Sequence, residues 1–188
     1  MGTVLNARRV RTLAALAFCA QAAFASAAEG PNTAAKKAAT DFYAVYVALP
    51  AAGVPDAAGL AKLEPTITPA LHALLVGARK AEDQHFKATK NEEPPLFEGD
   101  LFSSLFEGAS EYKVGACKGD AKRAECAVTL TQDPKGKPVN WTDTAVVIAT
   151  PAGWRLDDIV YGGTWDFGNK GRLSDALKNV TARTGTTP

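Results

Sequence analysis

The sequence predicts a single α+β domain in which N-terminal helices pack on a curved antiparallel sheet and a short helix closes the chain. Two observations carry this. Apolar residues recur at helical spacing between residues 33 and 90, at strand spacing between 111 and 163, and at helical spacing again after 172. Helices and strands are therefore segregated along the chain, the order of an α+β domain rather than of alternating βαβ units. The chain has 188 residues, and removal of an N-terminal leader leaves roughly 160, enough for one domain with one core.

Residues 1–27 read as that leader, a secretory signal peptide. Arg8, Arg9 and Arg11 precede the apolar run Leu13 to Ala25, and Ala25-Ser26-Ala27 or Ser26-Ala27-Ala28 offers a small-residue cleavage site. Cys19 follows Leu16-Ala17-Phe18, a rough lipobox in which Phe18 is too bulky, so a lipid-anchored form is not the expectation. The run is too short and too rich in alanine for a permanent membrane span, and no stable membrane insertion is expected after cleavage. The 21 Lys and Arg less those three arginines stand against 20 Asp and Glu, a formal charge of −2. No basic patch remains for nucleic acid. Only Cys117 and Cys126 survive cleavage, and in an oxidising compartment an isolated pair is most simply a disulfide.

Residues 28–183 form the expected domain, and 184–188 an expected disordered tail. The first helix spans Thr33 to about Leu49 through Ala38, Phe42, Val45, Tyr46 and Leu49, with Asn32 or Thr33 as cap and Pro50 as stop. A short helix follows from Asp56 to Leu63. A longer one starts with Thr68 as cap and Pro69 at its first position and ends between Phe86 and Lys90, its buried stripe being Leu71, Leu74, Leu75 and Ala78. Continued at 100° per residue, that stripe brings Glu82 and His85 to one face. An acid and an imidazole one turn apart could bind or move a proton; the plainer expectation is a frayed helix end in water.

Residues 91–95 read as a linker, and Phe97 to Phe106 as a packed loop with a short helical turn capped by Asp100. Strands at Glu111 to Cys117 and Glu125 to Thr131 imply a hairpin with a long tip. Unbroken pairing of Cys117 with Cys126 would mix the strand faces, and either a bulge at Gly115 or a diagonal disulfide resolves that. Asp133-Pro134-Lys135-Gly136 suits a type I turn leading to a strand at Val139 to Thr150. The last strand runs from Gly153 to Gly163, with Trp154, Leu156, Asp158 and Val160 on one face. Arg155 and Asp157 share the other, where a solvated charge pair is expected. One carboxylate on an apolar face is either a group at the edge of a cavity or one satisfied by backbone donors. Thr164 to Gly168 is irregular, and Arg172 to Arg183 is a last helix through Leu173, Ala176, Leu177 and Val180.

The stretches Phe42-Tyr43-x-x-Tyr46, Gly99-Asp100-x-Phe102-Ser103-Ser104, Trp141-x-Asp143 and Gly153-Trp154-Arg155-Leu156-Asp157-Asp158-Ile159-x-Tyr161 resemble an uncharacterised family of exported bacterial proteins similar in fold to nuclear transport factor 2. The resemblance covers about residues 36 to 180. It implies a cone-shaped, nuclear transport factor 2-like or cystatin-like fold, a periplasmic or secreted location, and a pocket between the first helix and the concave sheet. Relatives of that fold use the pocket for dehydration, isomerisation or plain ligand binding, so the fold does not decide the function. No motif of the isomerases matches residue by residue, and their catalytic roles are not carried over.

No nucleophile elbow, phosphate loop, zinc signature or dinucleotide fingerprint occurs, and no cofactor or metal is expected. The favoured function is a non-catalytic module binding a small ligand or a partner protein, with Tyr43, Tyr46, Trp154 and Asp158 as pocket candidates. The second is a dehydratase or isomerase with Asp158 as base, Tyr46 as hydrogen-bond donor and His72 or His85 as acid. The third is an immunity or inhibitor protein acting through the loop Lys118 to Glu125. For each pocket candidate the alternative is an ordinary packing residue.

Overall fold

The computed structural model describes residues 1–2, 30–50, 53–133 and 135–184. The expected leader beyond Gly2, its cleavage site, Cys19 and the expected tail beyond Thr184 lie outside the described residues, while Thr184, expected to open the tail, belongs to the last helix.

Helix α1 spans Pro31–Tyr46. It is not capped by Asn32 or Thr33: Gly30 is the N-cap, without a side-chain bond, and Pro31 occupies the first turn. Proline is favoured there because the amide it lacks has no partner inside the helix. Helix α2, Ala57–Leu63, is capped by Asp56, whose carboxylate accepts from the Gly59 amide at 2.8 Å. A 3₁₀ turn, Glu64–Thr66, leads to α3, Pro69–Thr89. The Thr68 hydroxyl caps α3 by accepting from the Leu71 amide at 3.1 Å. The Thr68 amide bonds the Leu156 carbonyl, tying the start of the helix to the last strand.

Four strands follow, β1 Glu111–Gly119, β2 Arg123–Gln132, β3 Val139–Thr150 and β4 Gly153–Val160, in an antiparallel sheet of order β1-β2-β3-β4. β2 alternates strictly as far as Leu130: Ala124, Cys126, Val128 and Leu130 are buried, with Arg123, Glu125, Ala127 and Thr129 exposed before them. α1 lies against the inner face, touching every strand, and buries Ala35, Ala39, Phe42, Tyr43 and Tyr46. Helix α4, Leu173–Thr184, packs beside α3 through Leu173, Leu177 and Val180.

Two bulges adjust the register. Between Val114↔Val128 and Cys117↔Cys126, Gly115 and Ala116 together oppose Ala127. That shift places Cys117 opposite Cys126, and the two are joined as a disulfide. The long hairpin tip is not formed: the strands extend until only Asp120 to Lys122 remain, with Asp120 accepting from the Lys122 and Arg123 amides at 2.7 and 3.0 Å.

The second bulge overturns the expected faces of the last strand. Val146 pairs with Asp158 but Val147 with Leu156, so Asp157 is the extra residue. A one-residue insertion flips the residues after it to the opposite face, and Leu156, Ile159 and Tyr161 become the buried positions. No Arg155–Asp157 pair forms; Asp157 accepts from the Thr68 hydroxyl at 2.8 Å, and Arg155 donates to the Trp154 carbonyl. Nor is the β2–β3 turn of type I, for Lys135 and Gly136 have φ of 62° and 74°. Positive φ at both positions suits the right-handed twist of a hairpin.

Candidate functional site

Asp158, the expected pocket carboxylate, is buried and fully engaged. One oxygen accepts from the Ile159 and Ser174 amides at 2.9 and 3.0 Å. The other accepts from the Ser174 hydroxyl at 2.9 Å and from Arg172 at 3.2 Å. Leu173 begins α4, so Asp158 serves the unpaired amides of that helix start, where the dipole also favours an anion. Asp158, Tyr43 and Trp154 line none of four cavities found among the described residues. Trp154 is half-buried and packs on the core. Tyr43 is fully buried among the rings of Phe42, Tyr46 and Tyr112, and its hydroxyl has no partner among the described residues.

His85 lies near the far end of α3, its ring nitrogen 2.8 Å from the Pro94 carbonyl. His72, near the start of α3, lines a cleft with Glu64, Pro69 and Arg155. The frayed helix end is not observed. α3 continues to Thr89, and Glu82 is buried and accepts from the Leu96 amide at 3.1 Å. Burial raises the Glu82 carboxyl above its ordinary value.

The carboxylates that do approach the tyrosines are Asp100 and Asp143. Both sit in a polar knot that ties the loop at 99–106 to the sheet. No helical turn forms in that loop. The Asp100 carboxylate accepts from the Phe102 amide at 2.7 Å, two residues on, while the Asp100 amide donates to the Phe106 carbonyl. Gly99 has φ of 74° and its Cα faces the Phe106 ring, so a side chain there would be both strained and obstructed.

Asp143 accepts from the Ser104 amide at 2.9 Å, the Gly162 amide at 2.8 Å, the Trp141 indole at 3.3 Å and the Ser104 hydroxyl. The same hydroxyl oxygen accepts from the Gly162 and Gly163 amides at 3.0 and 2.9 Å. A Cβ on Gly163 would stand 2.6 Å from that of Ser104, so only glycine permits this approach. Tyr161 donates to the Leu101 carbonyl at 2.7 Å. Asn169 donates to the Asp100 and Ser103 carbonyls, both at 2.7 Å.

Where this loop meets the end of α1, the chain leaves a cavity of about 350 Å³. Tyr46 and Leu49 come from the end of α1 and the turn after it, Val54 and Pro55 from the next loop, and Ala58 and Lys62 from α2. Arg79 comes from α3, and Asp100, Leu101 and Phe102 from the loop. The Tyr46 hydroxyl interacts with the Asp100 carboxyl and accepts from the Ala109 amide at 2.9 Å. Burial pushes Asp100 up to about 7, opposed by hydrogen bonds from the Phe102 amide and Tyr46 and assisted by the charge of Asp143. Burial also raises Tyr46 well above the ordinary phenol value. The cavity thus joins apolar walls to a carboxyl group that changes charge near neutrality.

Asp100 is a functional candidate that sequence reasoning missed, and Asp143, which lines none of these cavities, is the buried acceptor that holds its loop; both stand in the stretches that carry the family resemblance. The available signal was one acid inside Phe97-Glu98-Gly99-Asp100-Leu101-Phe102, where packing of the aromatics takes the carboxylate into the core with them. Among the described residues no cluster of three or more His, Cys, Asp or Glu is placed to hold a metal ion, and no helix is long and apolar enough to cross a membrane. The chain matches no family model, no curated protein and no solved structure.

Proposed function

We propose that the protein is an exported, non-catalytic binding module that holds a small ligand in the cavity between the end of α1, α2, α3 and the loop at 99–102. The observation that carries this is the lining of the cavity rather than its volume, since about 350 Å³ is matched by the other cavities at about 380–400 Å³. Small-molecule sites combine apolar walls with a few polar groups. Tyr46, Lys62, Arg79 and Asp100 are those groups here. The disulfide between Cys117 and Cys126 supports an oxidising, exported location.

A cone-shaped fold like that of nuclear transport factor 2 is supported by the order of helices before strands and by α1 lying against all four strands. The space between α1 and the sheet is packed by Phe42, Tyr43 and Leu130, so the proposed site lies at the end of α1 rather than beneath it. An enzymatic reading is favoured by the place of Asp100, a buried carboxyl group in the cavity wall beside Tyr46; burial raising it to about 7 suits an acid or base at neutral pH.

Native mass spectrometry of protein purified from its export compartment tests the binding reading. A retained small molecule is expected in the wild type and not in Ala58→Trp, which fills the cavity from an exposed helix position. Equal retention in both would contradict it.

A further inference from the structure

The cavity between α1, α2, α3 and the loop at 99–102 has a charge arrangement that the binding reading leaves unused, and an assignment of ligand chemistry to it rests on that reading. Two cations line it, Lys62 from the last turn of α2 and Arg79 from the middle of α3. Arg79 is held in place: its Nε and one terminal nitrogen donate to Asp83 at 2.9 and 2.5 Å, and the other terminal nitrogen donates to the Val54 carbonyl at 3.3 Å. A guanidinium has five N–H donors, so each terminal nitrogen keeps one hydrogen beyond these bonds. The Lys62 ammonium has no side-chain partner among the described residues, and its three donors remain available.

The acids that line the same cavity are differently engaged. Asp56 is committed to the Gly59 amide as the cap of α2, and Asp100 lies inside, bonded to the Phe102 amide and Tyr46. Leu49, Val54, Leu101 and Phe102 supply apolar walls. A ligand that suits both parts carries one planar anionic group for the cations and an apolar body for the walls. The volume of about 350 Å³ corresponds to roughly a dozen water molecules, room for a small organic acid.

We propose that this cavity binds a small apolar carboxylic acid, its carboxylate met by Lys62 and Arg79 and its hydrocarbon part set against Leu49, Val54, Leu101 and Phe102.

Isothermal titration at neutral pH with hexanoate, hexylamine and hexanol tests it, since the three share a chain and differ only in the head group. Hexanoate is expected to bind more tightly than the other two. Lys62→Met should weaken hexanoate by about tenfold, the worth of one hydrogen bond to a charged group, while Lys62→Arg keeps most of the affinity. Ala58→Trp should abolish binding. Equal binding of hexanol and hexanoate, lost together in Ala58→Trp, would overturn the carboxylate assignment and leave the cavity as a binding site. Tighter binding of hexylamine would overturn the assignment in favour of the acids Asp56 and Asp100. Hexanoate binding unchanged by Ala58→Trp, or no binding of any of the three, would overturn it as well; the wider binding reading is then judged separately by the native mass spectrum.

Discussion

Asp143 shows how one buried carboxylate can organise a loop. It receives bonds from the Ser104 amide and hydroxyl, the Gly162 amide and the Trp141 indole, and is fully buried. Removing the acceptor leaves the Ser104 amide and hydroxyl and the Trp141 indole without it in the core, the Gly162 amide keeping its bond to the Ser104 hydroxyl oxygen, at about 1–3 kcal/mol for each group not rescued by water. Asp143→Ala should therefore lose roughly 3 kcal/mol or more in a urea titration, with an unchanged slope; a loss within experimental error would contradict the knot. Tyr43 is the opposite case, a buried hydroxyl with no partner among the described residues. Tyr43→Phe removes a group that is costly to bury, so stability should stay the same or rise by up to about 2 kcal/mol. A clear loss would mean that the hydroxyl has an internal partner. Asp100 links stability to pH. Its folded value of about 7 lies above its ordinary 3.8, so the folded chain keeps a proton that the unfolded chain has released. The contribution is full below 3.8 and is lost as pH rises to about 7. Relative to Asp100→Asn, the wild type should lose stability across that window, and a constant difference in urea midpoints would refute the assignment.

At the scale of elements, what was legible depended on how local the cause was. Thr68 declares its helix because a capping side chain acts within three residues; Asp56 marks the expected start of the helix before it, and the structure adds that it is the cap. The β1 bulge was legible as one of two alternatives, because pairing Cys117 with Cys126 forced a face conflict that either an extra residue at Gly115 or a diagonal disulfide relieves, and the register shows the extra residue. The Asp157 bulge was not, because nothing within β4 requires it; it arises where Thr68 bonds both Leu156 and Asp157, 89 residues from the latter in sequence. That one insertion moves Asp158 from an expected pocket face to the start of α4. Asp158→Leu should orphan the Ile159 and Ser174 donors and cost about 1–3 kcal/mol, read as a lower urea midpoint with unchanged slope. Unchanged stability would make Asp158 a candidate site residue again. Reduction of the disulfide, which closes a ring of about ten residues, should lower stability by roughly 2–3 kcal/mol.

For the whole molecule, the α+β order was legible because helical and strand periodicities occupy separate parts of the chain. The cavity was not, because it is assembled from four segments spread over residues 46–102 and needs the loop at 99–106 to be folded by partners as distant as Asn169. Periodicity reports which face of an element is buried and carries no information about where elements fail to meet. On the proposed reading, the functional site is the cavity beside Tyr46 and Asp100, and Asp158 is a structural cap. The most direct test compares ligand retention, by native mass spectrometry, with urea stability in the two variants Ala58→Trp and Asp158→Leu. Ala58→Trp is expected to keep its stability and lose the ligand, while Asp158→Leu loses stability and, under conditions where it remains folded, keeps the ligand. The reverse outcome, retention in Ala58→Trp and loss from a stable Asp158→Leu, would contradict that reading.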